Sequence, residues 1–119
     1  MVLTSSCKKY LLSYWIKTLH LEDWKITFYP EEKQEDLGDT TYNALTTWEE
    51  SNKTAVIQIL NPKEADTNFD YEETLVHELL HLKFCLLHND INDFEGRYIH
   101  QIIDDIAKAL IKVRREKDD

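Results

Sequence analysis

The sequence is short of the residues that punctuate a chain. In 119 residues there are two glycines, two prolines and two cysteines. So little Gly and Pro excludes long flexible linkers and low-complexity segments, and leaves Asn, Asp and Ser to make the turns. Cys7 and Cys85, far apart and alone, form no disulfide framework, and a reducing cytoplasm is the simplest setting for them. Nowhere is there a run of about 18 apolar residues, the least that spans a bilayer. The first residues place Lys8 and Lys9 after a short apolar piece and lack the core of a secretory signal. Cations are scarce as well, with 14 Lys and Arg against 23 Asp and Glu and a formal net charge of −9. A surface this acidic repels phosphate backbones and anionic lipid head groups, so neither nucleic acid nor membrane is an expected partner.

What is present suffices for one domain over residues 1–119, since 42% of residues are hydrophobic and can bury a core. Leu3, Cys7, Tyr10, Leu11, Tyr14, Trp15 and Leu19 recur at helical spacing, with Thr4 or Ser5 as N-cap. Trp24, Ile26 and Phe28 alternate with Lys25, Thr27 and Tyr29, which predicts a strand ended by Pro30. After an acidic connection over 31–39, residues 40–49 suggest a second strand and Thr54 to Leu60 a third, closed by Asn61 and Pro62. Asp70 with Glu73 makes a capping box for a helix running to about His88. A last helix opens near Asn92 and ends among Lys112, Arg114, Arg115 and Lys117, cations that suit a helix C-terminus. The order helix, three strands, helix, helix predicts an α+β fold: a small three-stranded, mainly antiparallel sheet with helices on one side.

The chemistry is concentrated in His77-Glu78-Leu79-Leu80-His81. On a helix, residues four apart share a face and lie about 6 Å apart along the axis. Both imidazoles can therefore reach one zinc ion at about 2.0–2.1 Å. Glu78 lies beside that face, badly placed to ligate but well placed to take a proton from a metal-bound water. A structural polar stripe is the competing reading, but a buried helix rarely carries His, Glu and His without partners.

Catalytic zinc sites usually have three protein ligands. Cys85 and His88 lie about 12 and 16 Å along the axis from His77, too far to share an ion. The metzincin continuation fails as well, because Phe84 and Leu87 stand where glycine and histidine are required. The last helix offers His100, at the margin of the stripe Ile99, Ile102, Ile103, Ile106 and Leu110, and Glu95 within it. His100 is favoured because Asp104, one turn further on, can accept from the other nitrogen of a ligating histidine. Glu95 competes, although it also has a place in the capping box, and Asp105 points to solvent.

With these residues in view, the chain resembles the gluzincin zinc peptidases. The likeness is to their minimal single-domain members, the minigluzincins and the phage and mobile-element peptidases of the ImmA/IrrE type. In that family the third ligand is a glutamate on the helix after the motif helix, and in larger members an aspartate follows it by four residues. His100 and Asp104 reproduce that spacing with His in place of Glu. The segments Trp24 to Phe28 and Ala55 to Ile59 resemble the family's small sheet. The resemblance implies a minimal zincin-like fold and hydrolysis of a peptide or protein substrate. It also implies an edge strand over 41–48, with Asn43 and Ala44 near the site, along which substrate lies antiparallel. The expectation is a zinc-dependent peptidase with His77, His81 and His100 on Zn²⁺ and Glu78 as base. The rival expectations are a zincin-like binding module that does not cut, and an acidic interaction protein in which the motif is accidental.

Overall fold

The computed structural model describes residues 4–38, 42–85 and 94–118, with only the backbone of 94–96 and 118. Helix α1 (Ser5–Thr18) opens on Thr4, whose side chain accepts from the Cys7 N–H. Strands β1 (Lys25–Glu32), β2 (Ala44–Glu49) and β3 (Thr54–Leu60) follow, then helices α2 (Tyr71–Lys83) and α3 (Phe94–Asp118). Short 3₁₀ turns lie at Gln34–Leu37 and Pro62–Glu64. This is the α+β layout that the sequence predicts.

Three details differ. The sheet is mixed rather than mainly antiparallel. Its order is β1-β3-β2, with β1 parallel and β2 antiparallel to β3. The long connection between β1 and β2 is the reason: it lets the chain pass over the position that β3 fills, whereas only the short turn before β3 forces an antiparallel neighbour. Next, β1 continues through Pro30 to Glu32. It is an edge strand, where proline's missing N–H can be spared, and its register shifts between Tyr29 and Glu32. Finally, α2 stops at Lys83 rather than near His88, with Phe84 as C-cap and Cys85 buried beyond it. The expectations for Leu3, His88 and the Asn92 cap lie outside the described residues.

Burial follows the strand period. Ile26 and Phe28, Ala55, Ile57 and Ile59, and Ala44 and Trp48 share the sheet face that packs on the core. Helix α2 crosses this face over β2 and β3, with α1 and α3 on its flanks. Leu75, Val76, Leu79, Leu80 and Leu82 are all buried. One strip of α2 carries Glu73, His77 and His81, each four residues from the next and half-buried.

Helix α3 runs antiparallel along that strip. Its C-terminal half meets the start of α2, where Arg115 makes two hydrogen bonds to Asp70, at 2.8 and 2.9 Å. Beside them the buried Glu72 accepts from Trp15 Nε1 at 2.8 Å and lies 3.3 Å from Arg114 Nε. That carboxylate ties α1, α2 and α3 together. Glu72→Ala strands a buried indole N–H and an arginine, so it is expected to destabilise the fold by about 3–5 kcal/mol. Glu72→Gln keeps an acceptor for Trp15 and should lose less. Urea unfolding of both variants, read at constant denaturant dependence, checks this.

The Asp70–Arg115 pair gives a pH-dependent expectation. Burial acts to raise the Asp70 pKa, but the Arg115 hydrogen bonds and the Glu73 backbone N–H outweigh it and hold the carboxyl below its ordinary value. A group depressed by folding stabilises the protein above its unfolded pKa, and that stability is lost as pH falls through the folded value. Asparagine also caps helices well, so Asp70→Asn isolates the ion pair. The stability gap between wild type and Asp70→Asn should be full at neutral pH and close as pH falls from about 4 downward. Half of the Arg115 side chain is exposed, so the gap should be about 1 kcal/mol or less.

Candidate metal centre

Toward the other end of the antiparallel pair, the α2 strip ends in His77 and His81, and the facing strip of α3 carries His100 and Asp104. The three imidazoles meet there. Ring centroids are 4.9 Å apart for His77 and His81, 4.7 Å for His77 and His100, and 5.6 Å for His81 and His100. One nitrogen from each lies within 4.8 Å of the other two. Three nitrogens at the usual distance around a tetrahedral zinc are separated by about 3.3 Å. Small rotations of half-buried side chains cover the difference.

The donor set fits such an ion. His100 Nδ1 is buried and has no hydrogen-bond partner among the described residues. A buried polar atom left unpaired costs about 1–3 kcal/mol. Three imidazoles crowded together gain little from one another, whereas neutral imidazole is the common nitrogen ligand for zinc. Asp104 Oδ1 stands 3.5 Å from His77 Nδ1, the place expected of an acceptor that orients a ligating ring. A hydrogen bond from Lys108 holds the Asp104 carboxyl below its usual range, which keeps it an acceptor.

Glu78 points from α2 toward the sheet. It is buried, and Thr46 Oγ1 on β2 donates to its Oε1 at 2.6 Å. Burial pushes its carboxyl up to about 7, against the opposing pull of the Thr46 hydrogen bond. A cation held by the histidines would lower it again. A carboxylate can accept a proton in one step and return it in the next.

His77, His81, His100 and Asp104 thus come together, Glu78 follows His77 on α2 with its carboxylate on Thr46, and Asp105 is exposed as expected. The side chain of Glu95 lies outside the described residues. Two site residues escape a reading of the sequence, Thr46 and Trp48. The Trp48 ring stacks on His81, with centroids 6.3 Å apart and planes 18° from parallel. Alternation along β2 puts both on one face, but nothing in the sequence says that this face meets the motif helix. Strand β2 lies at one edge of the sheet.

A broad cleft near the start of α2 is a separate feature, lined in part by Lys8, Glu31, Asp70 and Arg115. Three of its cations are paired, Lys8 with Glu31, Arg114 with Glu72 and Arg115 with Asp70. No helix among the described residues is long and apolar enough to cross a membrane. Compared with known proteins, the chain matches no family model, no curated protein and no solved structure.

Proposed function

We propose that this protein is a zinc-dependent peptidase of the minimal gluzincin kind. The observation that carries the reading is the convergence of three imidazoles beside a buried glutamate, with an orphaned nitrogen among them. His77, His81 and His100 would hold the ion, with Asp104 orienting His77. A bound zinc supplies a Lewis acid that polarises a carbonyl and acidifies water. Glu78 accepts the proton of the attacking water and passes it to the amine nitrogen as the C–N bond breaks. The side of β2 away from β3 can align an extended peptide by backbone hydrogen bonds. A cytoplasmic setting and a phage or mobile-element role belong to the same proposal.

Metal analysis of the purified protein, joined to turnover of a mixed peptide library, tests the reading. One zinc per chain and cleavage that stops on chelation support it. A zinc-loaded protein that cuts nothing would favour the binding module instead. A protein that holds no zinc when supplied with it defeats both.

A further inference from the structure

We propose that Thr46 is the positioning residue for Glu78: its hydroxyl fixes one carboxylate oxygen so that the other is presented to the reacting water. The inference rests on the peptidase reading above and adds a residue outside the His-Glu-x-x-His motif.

Thr46 sits on the core face of β2, directly across from Ile57 of β3. Its neighbours on that face are Ala44, Trp48, Ala55, Ile57 and Ile59. Packing alone asks for an apolar residue there, and valine has nearly the same shape as threonine. What threonine adds is a hydroxyl, and among the described residues its partner is Glu78 Oε1, at 2.6 Å. Among the described residues the Glu78 carboxylate accepts no other hydrogen bond. A glutamate has three side-chain torsions, so a single anchor on a paired strand removes most of its freedom. The anchor occupies Oε1 and leaves Oε2 for the proton. The same strand stacks Trp48 on His81 two residues later. One rigid element thus sets both the base and a ligand, and their relative position does not depend on α2 alone.

Thr46→Val and Thr46→Ser test this, because one removes the hydroxyl and the other keeps it. In Thr46→Val, kcat should fall by about 10- to 100-fold, the scale of a displacement of roughly 1 Å at a reacting group. KM should stay within about twofold, since the ground-state contacts with substrate are untouched. Zinc content should be unchanged, and Thr46→Ser should recover most of the rate. A second readout needs no turnover. In metal-free protein carrying ¹³C at the glutamate carboxyls, the Glu78 resonance is identified by its loss in Glu78→Gln. It should be displaced in Thr46→Val and return in Thr46→Ser. Full kcat in Thr46→Val, a serine variant as slow as the valine one, or an unmoved Glu78 resonance overturns the proposal. If the wild type cuts no peptide, the peptidase reading fails by itself. The carboxyl resonance then still decides whether Thr46 holds Glu78.

Discussion

If the proposed peptidase reading holds, Glu78→Gln is expected to bind zinc as the wild type does and to cut no peptide. Glutamine has almost the same volume, so the core around Leu79 and Leu80 is not disturbed, and its amide oxygen can still accept from Thr46. What it cannot do is take a proton. Loss of a general base costs about 10²- to 10⁴-fold in rate. Burial keeps solvent from substituting for it, so the upper part of that range is expected. The proposed ligands His77, His81 and His100 are untouched, and zinc stoichiometry should equal that of the wild type. Parallel measurement of metal content and peptide turnover reads the outcome. Retained turnover at full zinc occupancy would remove Glu78 from the mechanism, whatever its position.

His100→Ala carries the other large effect, on metal rather than rate. The alternatives for a third ligand were His100 and Glu95, and the geometry brings His100 to within 4.8 Å of both motif histidines. Removing an outer partner of a ligand costs about 10- to 100-fold in metal affinity. Losing a ligand outright should cost more, and should leave a chain that gives up its zinc on dialysis against a weak chelator. Stability without metal should change little or rise, because the variant removes a buried nitrogen that has no hydrogen bond among the described residues. A variant that holds one zinc as tightly as the wild type would return the third position to Glu95 or to water. Trp48, stacked on His81, offers a convenient signal, since a quenching cation such as Cu²⁺ bound at the histidines should dim its fluorescence.

The local parts of this architecture were legible because they depend on neighbours in sequence. Alternation at Ile26 and Phe28 marked β1, and Asp70 with Glu73 marked the start of α2, whose cap accepts from the Glu73 N–H. The spacing of His77 and His81 fixed two imidazoles on one face, because an α-helix repeats every 3.6 residues whatever surrounds it. Errors fell where distant partners decide. Pro30 reads as a stop until β1 is known to be an edge strand, and parallel pairing of β1 with β3 has no local signature.

The site divides in the same way. By itself the sequence determined the motif helix, the glutamate beside its histidine face, and a second helix bearing His100 and Asp104 four residues apart. Only the tertiary structure decided that α3 lies antiparallel on the polar strip of α2, so that Asp104 faces His77 and His100 closes the triangle. It also decided that β2 reaches Glu78 and His81 through Thr46 and Trp48. The physical reason is one of range. Helical and strand periodicity are set by the backbone within a few residues. Which faces meet is set by burial of the whole core, to which Leu75, Ile57 and Ile103 contribute from three separate elements.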